Sequence, residues 1–188
     1  GAKLIHLSTD DVFSHHARQP YNEFEIPTPS TIYGKSKLAG ERFVQNLCTR
    51  HVIVRSSWVY GIGKDFVNTI LEAANNPSVT SMEVAENEFA SPTSATELAK
   101  VIEQLIDNDC LGIYHAVCGG FCSRFEFAQA ILKAIHAKDK LTLKPISDSE
   151  TINYSVLDNM MLRLENFTQP ISWQQALKDY IRTTGGNN

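Results

Sequence analysis

LIHLSTD, at residues 4–10, is the stretch that decides the fold of this chain, because an apolar run of strand length ends there in three adjacent polar side chains. Similar short apolar runs recur along the chain, and segments of helix length lie between them. The predicted strands lie at residues 4–7, 52–54, 79–84, 113–117 and 141–146. This alternation of strand and helix predicts an α/β protein with parallel strands.

The helices are predicted from apolar residues that recur at helical spacing. The clearest case is residues 95–107, where five apolar side chains at i, i+3, i+4, i+7 and i+8 fall on one face. Another helix follows Pro29, with Ser30 or Thr31 as its expected N-cap. The predicted helices cover residues 31–49, 65–74, 95–107, 123–137 and 173–182.

The composition excludes several classes of function. Of the 188 residues, 43% are hydrophobic and 20% are charged, as in ordinary globular proteins. The 17 basic and 21 acidic residues give a net charge of -4, so the chain has no excess positive charge to attract nucleic acid or anionic lipid. A site for a small molecule is therefore the first expectation.

Neither a membrane segment nor a metal site is predicted. No run approaches the roughly 20 apolar residues of a membrane span, and the N-terminal residues do not resemble a secretory signal, so a cytoplasmic protein is expected. The four cysteines are too few for a disulfide scaffold. Cys118 and Cys122 lie near His115, but no fourth ligand follows at zinc-like spacing.

Tyr33 and Lys37 are the first candidate catalytic pair. They stand four residues apart at the start of a predicted helix, so both side chains project from one face. A tyrosine with its ordinary pKa of about 10 is a poor proton donor near neutrality, and a nearby cation lowers that pKa. The same spacing is also common on solvent-exposed helix faces, so the pair alone does not establish catalysis.

The context of this pair strengthens the catalytic interpretation. Ser8-Thr9-Asp10 ends the first predicted strand, and SSWVYG at residues 56–61 ends the second. Open parallel sheets bind ligands at the carboxyl ends of their strands. Three polar clusters are therefore expected to converge at one edge of the sheet.

The order of these motifs resembles the extended short-chain dehydrogenase/reductases and, within them, the dTDP-4-dehydrorhamnose reductase family. The resemblance runs from about residue 1 to about residue 182 and follows the family's order throughout. It is carried by LSTDDVF at 7–13, PYNE at 20–23, PTPSTIYGKSKLAGE at 27–41, VRSSWVYG at 54–61, ASPTS at 90–94, GIYHAVCGG at 112–120 and SVLDN at 155–159.

The resemblance implies both a fold and a reaction. The implied fold is a partial doubly wound, Rossmann-like parallel sheet with a smaller α/β substrate-binding lobe. The implied reaction is hydride transfer from NADPH or NADH to the 4-keto carbon of a dTDP-linked 6-deoxy sugar, which gives dTDP-L-rhamnose. The preferred cofactor stays open.

Roles follow from the resemblance residue by residue. Tyr33 would protonate the developing alkoxide, Lys37 would lower the pKa of Tyr33 and bind the nicotinamide ribose, and Thr9 would bind the carbonyl oxygen. Independently of the family, a ketone that accepts hydride requires a donor aimed at its oxygen. The resemblance implies cofactor contacts at Ser8, Tyr33 and Lys37, and substrate contacts at Asp10, Asp11, Trp58, Ser91 and Thr93.

Several positions depart from the family pattern near the expected substrate. Asp11 stands where a tyrosine is typical, Ser14-His15 where Asp-Gly is, Asn87-Glu88 where Asp-Gln is, and Thr151-Ile152 where Arg-Pro is. The last change removes a cation that would face a diphosphate. These departures leave the identity of the sugar nucleotide open. His15-His16 is predicted to be a solvated loop.

The glycine-rich phosphate turn of dinucleotide-binding proteins follows no strand in this sequence. Residues 1–188 are therefore expected to form one partial reductase unit. Within it, residues 1–75 are the latter part of a Rossmann-like domain, and residues 76–188 are mostly the substrate-binding lobe, with elements returning to the main sheet. The chain alone is expected to be inactive, and self-association through the edge of its first strand makes it a possible homo-oligomer.

Two alternatives remain open. An epimerase or dehydratase of the same superfamily would share the fold, and the acidic pair Asp10-Asp11 does not decide between them, whereas SSWVYG favours the reductase. A non-catalytic subunit resembling the methionine adenosyltransferase beta subunit would share much of the scaffold and serve as a protein partner. Trp58 favours the enzyme.

Overall fold

A computed structural model describes residues 2–147 and 152–185. The described strands are β1 Leu4–Thr9, β2 His51–Ser56, β3 Val59–Tyr60, β4 Ser81–Ala85, β5 Glu88–Ala90, β6 Thr93–Ser94, β7 Gly112–His115, β8 Cys122–Ser123, β9 Thr142–Ile146 and β10 Asn153–Tyr154. The described helices are α1 Ile32–Leu47, α2 Phe66–Asn75, α3 Ala95–Asp107, α4 Arg124–Ala134, α5 Met160–Leu164 and α6 Trp173–Gly185, and a 3₁₀ turn covers Asp10–Val12.

The main sheet contains parallel strands in the order β1, β2, β7. The apolar residues 52–54 of the central strand β2 are fully buried, as expected when both faces of a parallel sheet are covered. In the register, Thr9 of β1 lies opposite Ser56 of β2. The polar residues that end these two strands therefore lie side by side at one edge of the sheet.

Helix α3 covers part of this sheet with the apolar face predicted from its sequence. Its residues Leu98, Val101 and Leu105 pack into one cluster with Val52 and Val54 of β2. Ser94 caps the helix by accepting a hydrogen bond from the Glu97 N–H at 3.2 Å. The helix therefore begins where the sequence predicts, at Ala95.

A second core lies in the lobe formed by α2, α4, α6 and the parallel pair β4–β9. Ile70, Val84, Phe127 and Ile131 are among its buried side chains, and each is at most 3% exposed. A capping box fixes the start of α4. The Ser123 side chain accepts a hydrogen bond from the Glu126 backbone N–H, and the Glu126 side chain accepts one from the Ser123 backbone N–H. The first residues of α4 are thereby held in place.

The structure contains each strand and helix that the sequence predicts, with shifts at the ends. The elements that periodicity does not reveal are short. β3, β6, β8 and β10 have two residues each and β5 has three, which is too few for a repeat to be recognised. The division at residue 75 stays a prediction, and β7 lies in the main sheet beside β2.

Within residues 2–147 and 152–185, no helix is long and apolar enough to cross a membrane. The same residues contain no group of three histidine, cysteine or acidic side chains that could hold a metal ion. Burial raises the pKa of Cys118 to about 11 and that of Cys122 to about 12, so both thiols are neutral at pH 7. Burial lowers the pKa of His115 to about 3, and this imidazole is therefore uncharged.

Candidate active site

A cavity of about 430 Å³ opens at the carboxyl ends of β1 and β2. It brings together six of the predicted site residues, namely Ser8, Thr9, Asp10, Asp11, Tyr33 and Trp58. The other lining residues are His15, Thr31, Ser56, Val59, Glu88, Phe89, Arg124, Asn153 and Ser155. The expected convergence of polar clusters at this edge is what the structure shows.

Tyr33 and Lys37 lie in the first two turns of α1, which begins after the Thr31 N-cap. The Thr31 hydroxyl accepts a hydrogen bond from the Gly34 N–H at 2.8 Å. Tyr33 is 55% exposed and lines the cavity. The Lys37 ammonium is not part of the lining; it donates a hydrogen bond to the Leu7 carbonyl at 2.7 Å, which holds it at β1.

Gly34 allows α1 to approach the 3₁₀ turn closely. A Cβ atom at this position would lie 1.9 Å from the Asp11 carbonyl oxygen, far inside any real contact distance. Only glycine can therefore follow Tyr33 in this packing. The small residue in the Tyr-x-x-x-Lys motif thus sets the distance between the tyrosine and the end of β1.

A buried ion pair fixes the other half of α1 to β2. The Arg55 guanidinium donates to both carboxylate oxygens of Glu41, at 2.9 and 2.6 Å, and the two side chains are 2% and 1% exposed. Such a bidentate pair orients both partners as well as joining them. The helix that carries Tyr33 is therefore anchored to the sheet at both its N-terminus and its middle.

Thr9 and Ser8 differ in what their hydroxyls already bind. The Thr9 hydroxyl donates to an Asp10 carboxylate oxygen at 3.0 Å and accepts from the Asp11 N–H at 3.2 Å. It must turn away from Asp10 before it can donate to a ligand. The Ser8 hydroxyl is buried and has no hydrogen-bond partner among the described residues.

Asp10 is a buried hub in the cavity wall. Its Oδ2 atom accepts hydrogen bonds from Ser57 at 2.8 Å and from Ser155 at 2.6 Å, in addition to the bond from Thr9 to Oδ1. Burial raises the pKa of Asp10, and the donated hydrogen bonds reduce that rise. Because these hydroxyls come from three distant segments, Asp10 joins the ends of β1, β2 and β10.

Asp11 pairs with His15 inside the cavity. The Asp11 carboxylate lies 3.0 Å from His15 Nε2. Burial lowers the pKa of His15, but the hydrogen bond to Asp11 and the nearby carboxylate charges outweigh it, so the net shift is upward. The prediction of a solvated His15-His16 loop is wrong for His15, which is 8% exposed. Asp11 and His15 are only four positions apart, and His15 has a φ of 66° in this turn.

Ser91 and Thr93 do not line the cavity. The Ser91 hydroxyl donates to the Gly120 carbonyl at 2.8 Å. The Thr93 hydroxyl donates to the Ser91 carbonyl at 3.0 Å and accepts from the Cys118 N–H at 3.2 Å. These contacts connect residues 91–93 with residues 118–120 outside the cavity. Direct substrate contact by Ser91 or Thr93 stays a prediction.

Trp58 lies in the cavity wall with an arginine stacked on its ring. The Arg124 Cζ atom is 3.5 Å from the ring centroid, a close cation–π contact. Trp58 has a φ of 42°, in the left-handed region that bulky residues rarely adopt. The strained backbone directs the indole toward the start of α4.

The sequence did not predict nine of the lining residues as site residues: His15, Thr31, Ser56, Val59, Glu88, Phe89, Arg124, Asn153 and Ser155. Ser155 stands in one of the quoted motifs, so a motif signal for it existed. Arg124 and Asn153 come from segments far from the catalytic helix, and no spacing rule connects them with it. Thr151, which stands where the family pattern has an arginine, lies outside the described residues.

Fold and cavity together define an α/β domain in which a Tyr-x-x-x-Lys helix stands at the carboxyl edge of a parallel sheet. The family model of the RmlD substrate binding domain matches residues 1–185, and the chain belongs to this family. The resemblance drawn from the motifs is thereby confirmed, as is the Rossmann-like fold class.

Individual relatives support the same family. The chain is 35% identical to the spore coat polysaccharide biosynthesis protein SpsK of Bacillus subtilis over 97% of its length, and it spans 65% of that protein. A crystal structure of a dTDP-4-dehydrorhamnose reductase from Clostridium acetobutylicum superposes with a TM-score of 0.91 at 34% identity, over 98% of this chain and 67% of that one. The dTDP-4-dehydrorhamnose reductase from Bacillus anthracis, in complex with NADP, gives a TM-score of 0.90 at 35% identity, over 97% and 66%.

Proposed function

We propose that this chain is the substrate-binding and catalytic part of an NAD(P)H-dependent reductase of a nucleotide-linked keto sugar. The reaction is reduction of the 4-keto group of a dTDP-linked 6-deoxy sugar, as the names of the relatives suggest. The observation that carries the proposal is that Thr9 and Tyr33 line the same cavity, with Lys37 held at the adjoining strand.

The residues present fit the nicotinamide end of the cofactor. The buried Ser8 hydroxyl has no partner among the described residues, and a polar group of a bound dinucleotide would satisfy it. When bound, the reduced cofactor supplies the hydride for the carbonyl carbon. Lys37, which the Leu7 carbonyl holds at the edge of β1, would bind a ribose hydroxyl.

The remaining steps belong to the side chains of this chain. As the C=O π bond breaks, its electron pair moves to oxygen, and the Tyr33 hydroxyl gives its proton to that oxygen. The positive charge of Lys37 stabilises the phenolate that remains. Thr9 donates a hydrogen bond to the same oxygen once it has turned away from Asp10.

A Tyr33→Phe substitution in the intact protein tests the proposal. We expect kcat for NADPH-dependent reduction to fall about 10²- to 10⁴-fold, the range for loss of a positioned general acid, with folding unchanged. Tyr180→Phe is the matched control, since that hydroxyl bonds the Gly61 carbonyl outside the cavity, and it should leave kcat unchanged. Near-normal turnover of the Tyr33 variant, with chemistry rate-limiting, would contradict the role of Tyr33.

Two further parts of the proposal concern the 188-residue chain by itself. It should show no reductase turnover, because its sequence offers no glycine-rich turn to hold the cofactor diphosphate. Among the described strands, β1 pairs only with β2, and we expect self-association through its other edge. Activity of the monomeric chain at ordinary NADPH concentration would refute the first expectation, and a concentration-independent monomer in sedimentation would refute the second.

The alternatives predict different outcomes in the same assays. An epimerase or dehydratase would convert the nucleotide sugar without net consumption of NADPH. A regulatory subunit would turn over no sugar nucleotide and would bind a second protein stoichiometrically. Stoichiometric NADPH oxidation with formation of the 4-hydroxy nucleotide sugar supports the reductase and excludes both.

A further inference from the structure

Arg124 presents a fixed guanidinium to the cavity. Its Cζ atom lies 3.5 Å from the ring centroid of Trp58 and 4.7 Å from that of Phe66. The side chain is only 22% exposed, yet it lines the cavity. Arg124 is also the first residue of α4, directly after the Ser123 cap. Backbone and side chain are thus both held in place before any ligand binds.

Among the described residues, this guanidinium donates no hydrogen bond. An arginine side chain has five N–H donors. The Nε atom of Arg124 is 3.9 Å from a Glu88 carboxylate oxygen, which is too far for a hydrogen bond. No other described residue accepts a hydrogen bond from this side chain in the structure. Burial lowers the pKa of Arg124, so an arriving anion would relieve a desolvation cost.

The charges around the cavity point to the group that Arg124 binds. Apart from Arg124, the charged lining residues are the carboxylates of Asp10, Asp11 and Glu88 and the imidazole of His15. His15 already faces Asp11 at 3.0 Å. Among the lining residues, Arg124 is therefore the one permanent cation, and a nucleoside diphosphate brings negative charge that must be compensated in this wall.

We propose that Arg124 binds the diphosphate of the nucleotide sugar through the N–H groups of its stacked guanidinium, an inference that rests on the proposed function. The planar fork of an arginine matches two oxygens of a phosphate group. Trp58 then acts mainly as a positioning residue, because the face of its ring that carries Arg124 is closed to the sugar. Phe66 holds the guanidinium in the same place.

The test is the binding of thymidine diphosphate and of thymidine to the intact protein, measured by titration calorimetry. Arg124→Gln should weaken thymidine diphosphate about 10- to 100-fold, the range for a lost charged hydrogen bond, and leave thymidine unchanged. Arg124→Lys keeps the charge and the apolar stem but not the fork, so an intermediate loss is expected. Arg182→Gln, on the exposed face of α6, is the control and should change neither affinity.

The outcomes separate this inference from the proposed function. If the wild-type protein reduces the keto sugar and binds thymidine diphosphate, but both Arg124 variants bind it equally well, the inference is wrong and the proposed function stands. An equal loss for thymidine and thymidine diphosphate would show that Arg124 only supports the cavity wall, which also overturns the inference. No binding of thymidine diphosphate by the wild-type protein, together with no reduction, would overturn both.

Discussion

Replacement of Gly34 by alanine tests the packing that brings Tyr33 to the end of β1. The added Cβ would start 1.9 Å from the Asp11 carbonyl oxygen and 2.8 Å from its carbonyl carbon. Real Cβ atoms essentially never approach another atom more closely than 3.0 Å. Helix α1 and the 3₁₀ turn must therefore separate by roughly 1 Å along that direction. Backbone atoms cannot rotate away as a side chain does, so the whole start of α1 must shift.

The magnitude follows from two opposing effects. Forcing an extra methyl group into a packed contact costs about 1–3 kcal/mol. Alanine in place of glycine in a helix stabilises the folded protein by at most about 1 kcal/mol, because of its higher helix propensity. We expect a net loss of about 1–2 kcal/mol in the free energy of unfolding. The effect on turnover should be larger, because a misplacement of about 1 Å in a catalytic group can cost about 100-fold in rate.

Gly40 provides a matched control in the same helix. A Cβ there would meet only the His6 ring, at 3.4 Å and 3.5 Å, which is ordinary contact. Gly40→Ala should therefore be neutral or slightly stabilising and should keep full turnover. Both variants are compared in the intact protein by urea unfolding and by kcat for NADPH-dependent reduction. If Gly34→Ala matched Gly40→Ala in both measurements, the close contact between α1 and the 3₁₀ turn would be refuted.

Three other carboxylates give predictions of defined sign. Glu41→Gln leaves Arg55 charged and unpaired in the interior and should lower the free energy of unfolding by about 3–5 kcal/mol. The control Asp179→Asn, in an exposed pair, should lower it by less than about 1 kcal/mol. Equal losses in urea unfolding would refute the anchoring role of Glu41. Because burial raises the pKa of Asp10 in the folded state, the folded protein should lose stability relative to its Asp10→Asn variant as the pH rises above the ordinary value of 3.8. Arg50 lowers the pKa of Asp109, so the wild-type protein should instead gain stability over Asp109→Asn as the pH rises toward 3.8 from below, and the opposite sign for either variant would contradict these assignments.

The layout of the fold is predictable from the sequence because it depends on local periodicity. An apolar run such as residues 52–54 has one stable place in an α/β protein, the centre of a parallel sheet. The stripe of α3 likewise determines which face the helix buries. Strands of two or three residues escape such prediction, because their backbone partners come from distant segments and their side chains show no repeat.

The site is predictable only in part. Thr9 and Tyr33 could be found because strand ends and helix starts have defined positions in this kind of fold. The role of Arg124 could not be predicted, since it depends on a contact with Trp58 across the fold. His15 contacts Asp11 only four residues away, but that contact depends on a turn in which His15 has a positive φ, which the sequence does not indicate. A motif states which residues are near in sequence, whereas the charge balance of a cavity is set by all the segments that reach it.

Three features that depart from local rules lie at this cavity, and others lie elsewhere in the chain. Trp58 adopts a backbone conformation that bulky residues avoid, Asp10 is a buried carboxyl whose pKa burial raises, and Ser8 has a buried hydroxyl with no described partner. Each of these costs stability in the free protein. Under the proposed function, the cofactor satisfies the Ser8 hydroxyl, and the diphosphate of the substrate compensates the charge of the stacked Arg124. We therefore expect the binding of cofactor and substrate to offset part of these costs.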